Sequence, residues 1–283
     1  MNYLEALSQL IEVDGLSDIS SATKRCLLHE DHRWVLPIIL QAQLFGDLPS
    51  PCDVIMFDAH DDAIEPDCIQ TIAALRRKGP TPQDVIDLCH NHLRELDDDW
   101  VKAGMELGLI RDIVIFGAEE RTGSFRSQSY TDNAGDRHRI RLARFPNRNS
   151  LGYKRELSDV DRSYAHQDLW DMLGWVYQPG QGFGFAGRRE KVLLDFDLDC
   201  FLMIWKGYYF SWAEKVFEGE LLPQSSYYTT SGWSGQKFIH GLIEKAGLVT
   251  IARESEMFRG ENKLVEEILQ RVNYYMFDNQ LGI

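Results

Sequence analysis

Positive charge is scarce in this chain: 30 lysines and arginines stand against 44 aspartates and glutamates over 283 residues, a formal net charge of −14. Phosphate backbones need a basic face, so this balance argues against nucleic acid as a partner and weakly favours a cationic ligand. Cysteine is thin as well. Cys26, Cys52, Cys68, Cys89 and Cys200 are odd in number and form no CxxC pair, which disfavours a disulfide framework or a zinc ribbon and points to reduced thiols in the cytoplasm. No apolar run approaches the length of a membrane span, and "MNYLEALSQLIEVDG" holds no basic leader followed by an apolar stretch, so neither membrane contact nor export is expected. Internal repeats and low-complexity linkers are also missing, which leaves a single domain over residues 1–283 as the economical reading.

What is present alternates between two periods. "NYLEALSQLIE" (Tyr3 to Ile11) and "RWVLPIILQAQLF" carry apolar residues at helical spacing, the second with Pro37 near its first turn. "CDVIMFD" is a short apolar run between "LPSP" and a charged cluster, as expected of a buried parallel strand. "TPQDVIDLCHNHLREL" and "DDDWVKAGMELGLI" read as helices with capping residues before them, and "RDIVIFGAEE" as a strand. Residues from about 121 to 169 are polar and Arg-rich and read as an irregular excursion over the rim of the sheet. The glycine-rich "GWVYQPGQGFGFAG" precedes the strand "KVLLDFDLD", whereas a phosphate-binding glycine loop should follow its strand and open a helix. Helical "SWAEKVFEG" and "SGQKFIHGLIEKAG", strand "LVTIA" and helix "NKLVEEILQRVNYYM" complete the pattern. The expected class is α/β, a three-layer, doubly wound parallel sheet.

In such a sheet, ligands bind beyond the carboxyl ends of the strands, where strand order reverses. Two charged clusters end two strands. After "DVIMF" come Asp58, His60, Asp61 and Asp62, and "KVLL" leads into Asp195, Asp197 and Asp199. Alternate residues of an extended chain share a side, which would bring Asp58, His60 and Asp62 together, and likewise Asp197 with Asp199. Like charges that close raise one another's pKa, and a bound cation removes the conflict. Oxygen donors with a minority of imidazole suit Mn(II) better than zinc. The bland alternative, helix caps and solvated charges, is weakened by a third element: "EDH", with His32 just before a helix.

"EDH" before a helix, "DAHDD" after a strand and "DFDLD" in a later one are similar in order and placement to the three metal motifs of the ureohydrolase (arginase and agmatinase) superfamily, which read roughly GGDH, DAHxD and SFDxD. The resemblance implies an arginase/deacetylase-like fold and two Mn(II) ions held by His32, Asp58, His60, Asp62, Asp197 and Asp199, with Asp58, Asp62 and Asp197 touching or bridging both. The single-zinc deacetylase-like branch fills fewer of these positions. The chain departs from the pattern where His29 and Glu30 replace glycines and where Asp195 replaces Ser, and the "EVNP" stretch that binds free arginine has no match. "HEDHRW" and "LVTIARES" resemble instead a divergent branch that includes the peptide arginases, which convert arginine side chains of ribosomal precursor peptides to ornithine. The implied activity is hydrolysis of a guanidinium to an amine and urea, with an arginine-containing peptide as substrate. Asp62 is the candidate proton relay. Glu254, just past "LVTIA", is the candidate counter-ion for the guanidinium, with Glu256 as its rival and a solvated loop charge as the plain alternative for both. The runner-up activities are an agmatinase-like or deacetylase-like amidohydrolase, and a non-catalytic binding protein stapled by metal.

Other clusters invite plainer readings. His90 and His92 lie two apart on a helix and so on different faces. Asp97 to Asp99 should cap and charge the helix that follows, and His138 and His166 read as surface histidines. The aromatic run "WKGYYFSW" could wall the pocket, line a peptide groove or pack the core.

Overall fold

Continuous apolar runs flanked by turn residues become the centre of one sheet. A computed structural model describes residues 15–94, 98–117, 127–143, 177–178, 182–183, 190–205, 208–214, 217, 235–256, 258 and 261–283. Eight strands run in the order β1 (Ser17–Asp18), β2 (Cys26–His29), β12 (Ala246–Ala252), β9 (Val192–Asp197), β3 (Cys52–Phe57), β4 (Ile110–Phe116), β6 (Arg137–Ala143) and β5 (Ser127–Thr131). The six from β2 to β6 are mutually parallel, and β1 and β5 close the two edges antiparallel. β7 (Tyr177–Gln178) pairs only with β8 (Gly182–Phe183), and β10 (Leu202–Trp205) with β11 (Tyr208–Ser211).

Every residue of β3 and β9 is buried, because helices cover both faces of the sheet. On one face Ile55, Phe57, Leu194, Phe196 and Ile251 pack with α5 (Gly235–Lys245) and α6 (Asn262–Phe277). On the other, Val54, Met56, Leu193 and Ile113 pack with α1 (Val35–Leu44), α2 (Ile69–Lys78), α3 (Pro82–Asn91) and α4 (Trp100–Glu106). The result is an α/β protein of three layers. From β3 the chain moves outward to β4 and β6, whereas β9 leads to β12 on the other side, so strand order reverses between β3 and β9. Phe57 sits at that junction, stacked at 5.1 Å on Phe116 and 5.0 Å on Phe196, its registered neighbours.

Several expectations need correction. Residues 127–143 of the expected irregular excursion form β5 and β6, because His138, Ile140 and Leu142 alternate inward while Arg137, Arg139 and Arg141 do not. His138 is buried rather than superficial: Nδ1 lies 2.7 Å from the Arg111 carbonyl and Nε2 3.2 Å from Asp132. Asp99 occupies the N-cap position of α4, but its side chain makes no cap hydrogen bond. It is buried, 3.4 Å from the Arg94 amide nitrogen, which donates to it. Thr81 does cap α3, in a reciprocal box with Asp84. The helix α2 goes beyond the expected elements; only Ile72 on it is fully buried, so its apolar stripe is narrow. The expected helix at Tyr3 to Ile11, Asp97 and His166 lie outside the described residues, as do Lys215, Val216, Glu218 and Gly219 of "SWAEKVFEG", whose Ser211 ends β11 rather than opening a helix. No helix among the described residues is long and apolar enough to cross a membrane.

Candidate metal centre

Four strand ends converge at the switch point, and each is fixed by hydrogen bonds within its own loop or to a neighbouring one. After β3, the Asp58 amide donates to the Phe116 carbonyl at 2.9 Å, which keeps the chain beside β4, while Asp58 Oδ1 accepts from the His60 amide at 2.6 Å. After β9, Asp197 Oδ1 accepts from the Asp199 amide at 2.9 Å and starts a 3-10 turn, Leu198–Phe201. Asp199 Oδ1 then accepts from the Ala59 amide at 3.3 Å, tying the two loops together. After β2, Asp31 accepts from Trp34 Nε1 at 3.2 Å and from Arg33 at 3.1 Å, shaping the 3-10 turn His32–Trp34 that drives His32 inward. After β12, the Arg253 and Glu254 amides donate to the carbonyls of His29 and Glu30, and the Ser255 amide to Glu30 Oε1, each at 2.9 Å.

Two of the site residues adopt left-handed backbone. Asp62 has φ of 44° and Glu254 of 46°. Side chains other than glycine and asparagine-like ones pay for that conformation, and it collects at functional sites. Asp62 is held by Val101, whose amide donates to its carbonyl at 3.1 Å, and by Trp100 Nε1, which donates to Oδ2 at 2.9 Å.

The six residues expected as ligands come together. His32 Nδ1 lies 3.0 Å from Asp62 Oδ2, 3.4 Å from Asp58 Oδ2 and 3.5 Å from Asp197 Oδ2. His60 Nδ1 lies 3.0 Å from Asp199 Oδ2 and 3.7 Å from Asp58 Oδ1. Three groups of donors fall within 4.8 Å of one another: His32, Asp58 and Asp197; Asp58, His60 and Asp62; and Asp197, Asp199 and Glu254. Asp58 and Asp197 each belong to two groups, so either carboxylate can span neighbouring cations. Glu254 therefore sits against the carboxylates themselves, half-buried, while its rival Glu256 is exposed. Loops, not strand alternation, gather Asp58, His60 and Asp62. Asp195 and Asp197 do alternate along β9, and Asp199 has already left the strand.

The electrostatics are those of a site short of positive charge. Burial, then the Asp62, Asp197 and Asp199 carboxylates, push Asp58 well above the ordinary carboxylate range. Asp197 is pushed up to about 7 by burial and then by Asp199. Glu254 is likewise raised, by burial and then by Asp197. Burial opposes a charged His32, but Asp195, Asp197 and Asp62 outweigh it and raise the ring well above its ordinary value. His60 goes up to about 9, chiefly through its hydrogen bond with Asp199.

No model of a known protein family matches this chain, and no characterised protein matches it in sequence at a significant level. The donors themselves show what the centre can hold. His32 Nδ1 and Asp58 Oδ2 are buried, face each other, and find no hydrogen-bonding partner. Unpartnered polar atoms at such depth are costly, and a cation between them would satisfy both. Oxygen-rich donors with two imidazoles match hard and borderline divalent ions. This buried His/Asp cluster has the composition and spacing to bind metal.

Sequence reasoning passed over two residues that shape the centre. Trp100, fully buried, holds Asp62 and lies 4.9 Å ring to ring from His32. Thr250 donates to Asp195 at 2.5 Å. Neither carries a local signal, because both meet the site through the packing of distant elements.

Proposed function

We propose that this chain is a binuclear manganese hydrolase of arginase/deacetylase-like fold that acts on the guanidinium of arginine side chains in a peptide, giving ornithine and urea. The observation that carries the reading is the sharing of Asp58 and Asp197 between adjoining donor groups, the arrangement that lets one carboxylate serve two cations. His32, Asp58, His60, Asp62, Asp197 and Asp199 would hold the two Mn(II) ions. A bound cation pair would supply an acidified water as nucleophile at neutral pH and would stabilise negative charge as it develops.

The chain's own residues do the rest. Asp62, fixed through Trp100 Nε1 and 3.0 Å from His32, would take the proton released as the water oxygen bonds to the guanidinium carbon. It then returns that proton to the side-chain nitrogen as the carbon–nitrogen bond breaks, so that urea and the ornithine amine leave in balance. Glu254 extends the negative face beside Asp197 and Asp199 and supplies the counter-charge for the planar cation. A large substrate is supported by the hairpin that begins at Leu202, just past Asp199, and holds Tyr208 and Phe210 exposed at 67% and 44%.

The test is incubation of the Mn(II)-loaded protein with arginine-containing peptides, followed by mass measurement and urea assay. Each hydrolysed guanidine should remove about 42 Da, as the assumed chemistry requires. Absence of urea from peptides, free arginine and agmatine alike would sink the guanidine reading. Acetate release from acetyl-lysine would replace it with a deacetylase-like one.

A further inference from the structure

His32 is surrounded unequally on its two sides. Nδ1 faces Asp58, Asp62 and Asp197 at 3.4, 3.0 and 3.5 Å and finds no hydrogen-bonding partner among them. Nε2, on the opposite side of the ring, lies 2.5 Å from Asp195 Oδ2. The second oxygen of Asp195 is also taken, by the Thr250 hydroxyl, which donates to Oδ1 at 2.5 Å. Asp195, Thr250 and His32 are all fully buried. Parallel pairing explains why they meet: Thr250 on β12 is the registered partner of Asp195 on β9, so their side chains stand side by side on the same face of the sheet. His32 drops onto that pair from the turn after β2. Asp195 belongs to none of the three donor groups.

We propose that Asp195, anchored by Thr250, is a positioning residue that accepts the Nε2 proton of His32 and thereby reserves the Nδ1 lone pair for a divalent cation. This rests on the metal reading of the centre. A ligating imidazole needs its second nitrogen protonated and its plane fixed, and a carboxylate does both while making the ligand more basic. Asp195 cannot swing toward the centre without giving up Thr250. An asparagine at 195 has the same size but can turn its amide toward Nε2, which would move the ring proton to Nδ1 and aim it at the cation. A mere core ion pair would account for Asp195 alone, whereas Nδ1 faces three further carboxylates, two of which share a donor group with it.

The experiment uses the full chain and Mn(II) alone. Free Mn(II) is followed by electron paramagnetic resonance during titration of the wild type and of Asp195→Asn, Thr250→Val and Thr250→Ser, with melting of each chelated protein measured alongside. Asp195→Asn should weaken Mn(II) binding about 10- to 100-fold, the range for loss of such a partner. Thr250→Val should weaken it in the same direction, and Thr250→Ser, which restores the hydroxyl, should return it close to wild type. If Asp195→Asn does not fold, the two Thr250 variants decide the matter in the same terms. Lowered melting with unchanged Mn(II) affinity in the folded variants overturns the positioning role and leaves the metal reading standing. A wild-type chain that takes up no Mn(II) overturns both.

Discussion

A carboxylate buried among others keeps its proton until something offsets its charge, and this makes the centre's pH behaviour specific. His60, raised to about 9, and His32 and Asp58, raised well above their ordinary ranges, hold protons in the folded chain that the unfolded chain gives up at lower pH. Such groups stabilise the fold fully below their unfolded pKa and lose that contribution as pH rises through the folded one. His29 works in the opposite sense: burial lowers it to about 4, so its contribution grows with pH, but only up to the ordinary histidine value of 6.5. Between about pH 6.5 and 9, therefore, the chelated protein should melt at progressively lower temperature. Mn(II) needs the deprotonated ligands, so the loaded protein should lose that slope or invert it; parallel slopes with and without Mn(II) would contradict the ligand assignment. Trp100 offers a second check at this scale. Trp100→Phe keeps the ring beside His32 but removes the donor to Asp62, and should weaken Mn(II) binding by about tenfold, measured by the same titration. The candidate ligands were legible in the sequence because they cluster in three short motifs. Trp100 was not, since it reaches Asp62 only when α4 packs over the loop after β3.

Among the elements, β12 has near its start a residue that must lack a side chain. The register between β12 and β9 shifts at Gly247, where an added Cβ would lie 2.2 Å from the Asp47 carbonyl oxygen. Backbone cannot yield as a side-chain tip does, so Gly247→Ala should destabilise the protein by about 1–3 kcal/mol in urea denaturation. It should leave the Mn(II) affinity of the folded fraction unchanged, because the bulge lies at the opposite end of the strand from Glu254. Strands with unbroken apolar runs, such as β3, were readable from sequence. β6 was obscured because arginines occupy its alternate positions and dominate the composition, although the inward set His138, Ile140 and Leu142 keeps a period of two. α2 was obscured for a related reason: a helix that buries little has a weak apolar stripe, and its place is set by packing on α4 rather than by its own pattern.

For the whole molecule, the sheet divides the apolar core in two and leaves its charge-dense loops at one end, where β2, β3, β9 and β12 all finish. A chain of net charge −14 already favours expansion by self-repulsion, and the centre concentrates part of that charge in a buried space. Cations bound there would remove repulsion and join loops from both halves of the sheet, acting on the native state alone. At a hundredfold excess over Kd, each site should add about 2.7 kcal/mol to stability. The melting temperature should therefore rise with Mn(II) concentration and fall back on chelation, with hydrogen exchange slowing together in the segments around His32, Asp58, Asp197 and Glu254. Sodium chloride at matched ionic strength screens exposed charges over about 8 to 10 Å but cannot replace a divalent cation coordinated in a buried centre. Should sodium chloride reproduce the whole Mn(II) shift, the acidic ends of these strands would be a screened patch, and the reading of the molecule as a metallohydrolase would fail with them.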